Sequence, residues 1–425
     1  MKTALIIAAA AGIAFSQTTP AASKVTLEQA IQEALKNNLD LAAERHGLAV
    51  VETRGITAAL KPNPILTLQA QTLDVLGVGF NAANPAGPNQ FNGHVDYVYE
   101  RGGKRQERVA LAAADKTLSQ TAIREITRRL IFDVQSTFVD VQQAGAAVTL
   151  AQDNLRSLRG IVQVNESRVN AGDLAQVELD RSRVAALQYE TAVEQARLQQ
   201  EQAKTRLQRL LGRTATSPDF DVVGDMRREE KSDNAMAILD RALQRRPDLL
   251  ASQQSQARSR ADLKLQLANG KVDYLIGAEY TYQRAYGFGG SSIGLSLSVP
   301  LPVYSRNQGE IARAEREAKQ NAARSTALEA GIKSEVELAW RQYEVSRRLL
   351  TNIESTLLSR AKQVRDVTEY SYRRGEATLV EFLDAQRAFN DAVQSHNEAR
   401  ANFARSLYLI DAVSGVEAPA SGGGK

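Results

Sequence analysis

The sequence predicts a mainly α-helical chain with a small β part, built from one unit used twice: a helix, two strands and a long helical hairpin. Three observations predict it. Residues 168–210 and 371–413 carry the same pattern 203 positions apart, as Gly172 against Gly375 shows. After each glycine runs a ladder spaced 4,3,4,3: Ser182, Ala186, Tyr189, Val193, Ala196, Gln200, Ala203, Leu207, Leu210, then Ala385, Phe389, Ala392, His396, Ala399, Phe403, Ser406, Ile410, Val413. That spacing is the seam of a coiled coil. Four short stretches alternate apolar and polar residues with the period of a strand.

Composition agrees with long packed helices. Aromatic residues make up 5% of 425, Trp340 is the one tryptophan, and Ala, Arg, Gln, Glu and Leu crowd the helical runs. The net charge of +4 comes from 53 basic and 49 acidic residues interleaved along the chain, which describes solvated helix faces and excludes a nucleic-acid partner. At the start, Lys2 precedes an apolar run from Ala4 to Phe15, with Ala14 and Ser16 fitting a small-x-small cleavage rule. Residues 1–16 therefore read as a cleaved secretory signal peptide, too short for the ~20 residues of a membrane span. With no cysteine there is no disulfide and no N-terminal Cys to lipidate.

The first repeat covers residues 17–211. Thr26 is placed to cap a helix with Leu27, Ile31, Ala34 and Leu35 on one face, ending before Pro62 and Pro64. Strands follow at about 65–75 and 90–100. In the first, Leu66, Leu68 and Ala70 oppose Thr67, Gln69 and Gln71; in the second, Phe91, Gly93, Val95, Tyr97 and Tyr99 oppose Asn92, His94, Asp96, Val98 and Glu100. The intervening 77–90 is rich in Gly, Asn and Pro and predicts an irregular loop. A helical stretch of about 65 residues then leads to Gly172, with Gly145 as a candidate junction between stacked helices, and the ladder returns from it.

Residues 212–234, interrupted by Gly212, Pro218 and Gly224, read as a linker. The second repeat covers 235–414: a helix from Ala237, strands at about 273–283 and 291–301, a second long stretch to Arg374, and its ladder. Ile293, Leu295, Leu297, Val299 and Leu301 oppose Ser292, Gly294, Ser296 and Ser298, as in a lipid-facing barrel strand. Four strands cannot close a barrel alone. Residues 415–425 read as a disordered tail.

This order of elements resembles the TolC family of outer-membrane efflux proteins over nearly the whole mature chain. The motifs that carry the resemblance are NNLDLAAE, KPNP, YERGGKRQERVALAAA, SIGLSLSVPLPVYSRNQGEIARAEREA and YRRGEATLVEFLDAQRAF. GGKR and RNQGEIARA are similar to the branch serving cobalt, zinc and cadmium efflux. The resemblance implies a homotrimer whose 12-stranded β-barrel in outer-membrane lipid continues as a 12-helix α-barrel tunnel into the periplasm. It also implies an exit duct, opened at its periplasmic end by an adaptor protein and an inner-membrane pump, with no cofactor. Small seam residues such as Ala186, Ala196, Ala203, Ala392 and Ala399 would let the tunnel helices pack closely.

The same resemblance assigns the gate. Glu381 and Asp384 match acidic positions at the periplasmic aperture, a cation-favouring constriction. Glu178 and Tyr372 match a closed-state lock. A second lock fails, because its positions fall on Ala377 and Val177, leaving Arg373 or Arg374 as candidate substitutes. The tips at Arg168, Gly172, Asp173, Arg373, Arg374, Gly375 and Glu376 are the expected adaptor-docking surface.

An enzyme is not expected. His46, His94 and His396 fall on separate elements, and neither a phosphate loop nor a nucleophile elbow is present. A periplasmic adaptor normally has one hairpin and lacks lipid-compatible strands, and a soluble coiled-coil scaffold leaves the strands unexplained. Drug efflux and type I protein secretion remain alternatives to metal export, because the pump and adaptor choose the cargo.

Overall fold

The computed structural model describes residues 23–73, 75, 89–214, 220–285 and 288–416. The signal segment, most of the loop 77–90, Pro218, part of the turn 285–290 and the end of the tail lie outside them. The first repeat runs β1 (Ser23–Val25), α1 (Leu27–Asn37), α2 (Leu39–Ala59), β2 (Ile65–Gln71), β3 (Asn89–Tyr99), α3 (Lys104–Ala171) and α4 (Gln176–Leu210). After β4 (Phe220–Val222) the second runs α5 (Ala235–Arg245), α6 (Pro247–Asn269), β5 (Tyr274–Ala285), β6 (Phe288–Ser298), α7 (Gln308–Asn352), a π turn (Ile353–Leu357), α8 (Leu358–Arg374) and α9 (Leu379–Val413).

Thr26 caps α1 as expected, in a reciprocal capping box with Gln29. The single helix expected after it is two helices, because Asn38 takes an extended backbone (φ −60°, ψ 125°). Its Oδ1 accepts from the Leu41 N–H at 2.9 Å and its Nδ2 donates to the Leu210 carbonyl at 2.9 Å, so one side chain caps α2 and ties it to the end of α4. The second repeat breaks at the same place through Arg246 and Pro247, whose missing N–H costs nothing at the first helical position. The linker is also more ordered than its composition suggests. β4 pairs in parallel with β1, Val25 opposite Val222, and so fastens the second repeat's approach to the first repeat's start.

The main sheet is antiparallel in the order β2-β3-β5-β6. Its register puts Leu66, Val95, Ala278 and Leu295 in one row across four strands, and Leu68, Gly93, Tyr280 and Ile293 in the next. Most of these large apolar side chains are exposed, Leu295 at 85% and Ile293 at 80%, so the face has no partner among the described residues. The opposite face carries Thr67, His94, Asp96, Glu279 and Ser296, with His94 Nε2 2.6 Å from Asp96 Oδ2. β2 stops at Gln71, since Thr72 turns to φ 51°. β6 stops at Ser298 instead of Leu301, because Pro300 and Pro302 lack the N–H that a ladder needs. Among the described residues no helix is long and apolar enough to cross a membrane.

The long stretches depart from expectation in opposite ways. α3 is one unbroken helix of 68 residues, about 100 Å at 1.5 Å per residue, and Gly145 marks no junction within it. A Cβ there would meet Gln200 Nε2 at 3.3 Å, so this glycine allows α3 and α4 to approach. In the second stretch, read as continuous, the π turn at Ile353–Leu357 separates α7 from α8. Glu354 inside it accepts from Arg228 at 2.8 Å and lies 3.1 Å from His396 Nε2. His396 thus holds its seam position by pairing with a carboxylate.

The ladders are the seam. Ser182, Ala186, Val193, Ala196, Ala203 and Leu207 are buried on α4, as are Ala385, Ala392, Ala399, Phe403, Ser406, Ile410 and Val413 on α9. Two main cores lie about midway along the long helical stretches, one around Val134, Phe138, Leu207 and Phe220, the other around Ile332, Tyr343, Phe403 and Leu407. Asn38→Ala should cost about 1 kcal/mol through the lost cap. Thr26→Ala, whose cap is open to water, should cost less, and thermal unfolding followed by circular dichroism at helical wavelengths measures both.

Candidate functional site at the hairpin tips

Both hairpins turn by the same device. Gly172 adopts φ 85° and Gly375 φ 79°, left-handed conformations that favour a residue without a Cβ. The Asp173 N–H donates to the Arg168 carbonyl at 2.8 Å, and the Glu376 N–H to the Ser371 carbonyl at 2.9 Å, closing the helix ends. Beyond the glycines the copies diverge. Ala175 begins α4 without a side-chain cap, whereas Thr378 begins α9 with one. Thr378 Oγ1 accepts from the Glu381 N–H at 3.2 Å, and Glu381 Oε2 accepts from the Thr378 N–H at 2.7 Å.

The Thr378 backbone amide and then its hydroxyl hold the Glu381 carboxyl below its ordinary value. A lowered carboxylate pKa favours folding above the unfolded value, and the advantage is lost as pH falls through the folded one. Glu381 therefore stays ionised at neutral pH. Asp384 is exposed one turn on, its Oδ1 3.6 Å from Arg387 Nη1. Counting back 203 positions, the first-copy counterparts of Glu381 and Asp384 are Glu178 and Arg181, which pair with each other at 2.6 Å. The first tip thus has an arginine where the second has its further carboxylate, Asp384.

Tyr372 is buried between the hairpins, stacked on Phe382 with ring centroids 5.6 Å apart. Its hydroxyl donates to Asn165 Oδ1 at 2.8 Å and not to Glu178. Burial pushes the Tyr372 phenol above its ordinary value; Asn165 and Arg168 oppose the rise and Glu178 adds to it, so Glu178 is felt here as a charge without being the bonded partner. The candidates for the missing second lock are engaged on their own helix. Arg373 pairs with Glu369 at 2.8 Å, and the Arg374 guanidinium lies 4.9 Å from the Tyr370 ring centroid. Val177 is exposed, and Ala377 packs against the tip core of Leu158, Ile161, Leu379 and Phe382. The Arg168 guanidinium reaches across to the other tip, 3.1 Å from where a Cβ on Gly375 would sit.

Sequence reading missed a ladder of neutral polar groups behind this site. Gln386 Nε2 donates to Asn154 Oδ1 and to Asn390 Oδ1, each at 3.0 Å, and Asn390 Nδ2 donates to the Tyr189 hydroxyl at 3.2 Å. With Asn165 and Tyr372, it ties α3 and α4 to α8 and α9 through buried uncharged bonds. The Thr378 capping box was missed too, although its T-x-x-E spacing is a local signal. The amide pairs have no such signal, since their partners stand 201 to 232 positions apart.

Among the described residues no group of His, Asp and Glu could hold a metal ion. A cavity of about 570 Å³ opens between α1, α3 and the end of α9, and two of the three arginines lining it are committed: Arg128 to Glu125 and the Ala412 carbonyl, Arg227 to Asp411 and Glu229. Nothing in it is placed as a nucleophile beside a base.

The model of the outer membrane efflux protein family matches residues 30–213 and 238–416, one match per repeat, and the chain belongs to that family. It is 25% identical over 373 residues to the cobalt-zinc-cadmium resistance protein CzcC of Cupriavidus metallidurans, covering 88% of this chain and 85% of that protein. It is also 25% identical over 394 residues to the pyoverdine export outer membrane protein OpmQ of Pseudomonas putida, covering 86% and 80%. Among solved structures, the CmeC outer membrane channel of Campylobacter jejuni superposes with a TM-score of 0.76 at 14% identity, covering 97% of this chain and 94% of that one. The chain is an outer-membrane efflux channel by family, and this is a family of channels, not of enzymes.

Tyr372→Phe removes the hydroxyl that satisfies the buried Asn165 oxygen, at a cost of about 1–3 kcal/mol for the unpaired group. Amide hydrogen exchange around residues 158–165 and 379–386 should quicken, while exchange near Phe138 and Leu207 should not change.

Proposed function

We propose that three copies of this chain close into one tube that serves as the exit duct of a tripartite efflux system. The observation that carries the reading is that both layers end in open edges. In the sheet, β2 and β6 each have one strand neighbour among the described residues. In the helical layer α4 packs on α3, and α8 on α9, leaving their outer sides with exposed apolar stripes: Val177, Val184, Leu187 and Leu198 on one, Val364, Val367 and Tyr370 on the other. A ring of three joins edge to edge in both layers at once, giving 12 strands from four per chain and 12 helical columns from the four formed by α3, α4, α7–α8 and α9. Closure satisfies the strand edges that lipid would not tolerate.

In this ring Glu381 and Asp384 line the periplasmic aperture. Two carboxylates per chain make six around the mouth, a field that favours cations. Glu178, Arg168 and Tyr372 hold the tips together in the closed state, with Asn165 as the bonded partner of Tyr372. Gly172, Asp173, Arg373, Arg374, Gly375 and Glu376 form the surface on which a periplasmic adaptor docks, and the adaptor with its inner-membrane pump opens the duct. Residues 1–16 direct export and are cleaved, and the apolar sheet face meets outer-membrane lipid.

Heavy-metal cations are the proposed cargo, supported by the similarity to CzcC and by the acidic mouth. The similarity to OpmQ favours a second reading, export of a small organic molecule, since a passive duct leaves the choice to its pump. Growth of a deletion strain on cobalt, zinc and cadmium against dyes and detergents separates the two. For the aperture, Glu381→Gln with Asp384→Asn removes both charges while Gln keeps the capping geometry. In planar bilayers the double variant should lose cation selectivity and divalent-ion block; unchanged selectivity would take these residues out of the constriction.

A further inference from the structure

The junction between sheet and helices carries exposed cations that the duct reading leaves unexplained. They sit in three sequence stretches, KPNP, ERGGKR and SRN, together with Lys271. Lys61, Arg101, Arg105, Lys271 and Arg306 are all exposed, and none makes an ion pair among the described residues. Arg105 Nε donates to the Ala59 carbonyl at 2.6 Å, and Arg306 Nε to the Pro302 carbonyl at 3.1 Å. A carbonyl orients a guanidinium without neutralising it. The neighbouring cations Lys104 and Arg108 are spent on Asp273 and Glu100.

The five form one belt, because the junction loops pack on each other. Arg105 on the Ala59 carbonyl brings it beside Lys61. A Cβ on Gly102 would lie 2.5 Å from Lys271 Cδ, and one on Gly270 would lie 2.7 Å from the Arg306 carbonyl oxygen. Gly102 thus joins the Arg101 loop to Lys271, and Gly270 joins Lys271's loop to Arg306. Gly270 lies against the backbone at Arg306, and Gly102 against the Lys271 side chain and the Ala268 carbonyl.

The belt lies at the lower margin of the apolar face. Tyr99 pairs with Tyr274 in register, at the end of the strand rows that carry Tyr97, Ile276 and Leu297. The Arg101 guanidinium covers the Tyr274 ring at 4.5 Å, so it stands on the same face, one step below the aromatic pair. On the neighbouring strand's continuation Leu301, Val303 and Tyr304 are exposed, the last at 93%, and Arg306 follows them. Apolar rows, then tyrosines, then unpaired cations is the sequence of environments from hydrocarbon through interface to head group.

We propose that this belt is a collar for anionic phospholipid, its cations gripping the phosphates of the membrane leaflet nearest the helices. The inference rests on the reading of the sheet as the lipid-embedded part of a trimeric duct. Each Lys or Arg near an anionic lipid surface contributes about 1 kcal/mol, or roughly fivefold in local lipid concentration. Three copies repeat the belt around the whole circumference. The collar fixes the depth of the tube and the level at which the tunnel leaves the membrane.

The test is lipid selection by the full-length protein reconstituted in bilayers of phosphatidylcholine containing a minority of phosphatidylglycerol. The lipid shell retained on purification should be enriched several-fold in phosphatidylglycerol over the bulk, less so at high salt. The variant with Lys61, Arg101, Arg105, Lys271 and Arg306 all changed to Gln should retain a shell of bulk composition. A control that changes Arg206, Arg209, Arg324, Arg348 and Arg360 to Gln alters net charge equally and should keep the enrichment. A bulk-composition shell on the wild type, or enrichment persisting in the collar variant, overturns the collar while leaving the duct intact. Displacement of the enriched lipid by inorganic phosphate at the same ionic strength as a chloride control would identify a free-phosphate site instead and overturn it too. A wild type that fails to insert as a trimer overturns both readings.

Discussion

The structure depends on a constraint that the single chain does not meet: among the described residues its sheet has an exposed apolar face and two edge strands with one neighbour each. β2 and β6 leave backbone N–H and C=O groups unpaired beside Leu66, Leu68, Ile293 and Leu295. Water can satisfy such edges and hydrocarbon cannot. The duplication has its physical sense in that demand. Each repeat supplies one strand pair and one helical hairpin, so whatever closes the sheet also closes the helical layer, and the register of β3 on β5 fixes how the two repeats meet. The long unbroken α3 carries this arrangement away from the sheet, packing against α2, α4, α6 and α9 along its course.

Near-symmetry makes the departures from it informative. Ala175 corresponds to Thr378 in the repeat and Arg181 to Asp384, so one helix starts with a side-chain cap and a second carboxylate where the other has neither. The π turn appears in the second hairpin alone, where Arg228 and His396 converge on Glu354, while the matching part of α3 stays regular. π turns accompany functional sites more often than chance placement would give. The second hairpin therefore holds the added carboxylate, the side-chain cap and the irregular helix.

The contacts between hairpins are uncharged where they are buried and charged where they are exposed. Asn154, Asn165, Gln386, Asn390, Tyr189 and Tyr372 bond to one another without formal charge. A buried ion pair would pay a desolvation cost that this ladder avoids, and salt or modest pH change leaves such bonds alone. The charges of Glu178, Glu381 and Asp384 stay at the rim, with Glu178 paired to Arg181 and Asp384 beside Arg387.

Periodicity alone decided which faces are inside. The 4,3,4,3 ladders, the alternation in Phe91 to Tyr99 and Ile293 to Leu297, and the two turn glycines were all readable because each depends on neighbours within a few residues. Thr378 with Glu381 carries a local signal of the same kind, though it was missed. Tertiary structure decided what has no local pattern. Tyr372 bonds Asn165 and not Glu178 because the two hairpins meet with that offset. Asn38 breaks a helix that its neighbours would continue, because the end of α4 offers its side chain a carbonyl 172 positions away. Gly145 stays helical because α4 comes close, and the three residues of β4 become a strand because β1 lies beside them. The cations of the junction loops were visible one by one in the sequence. Only the packing of Gly102 on Lys271 and of Gly270 on Arg306 gathers them into a belt.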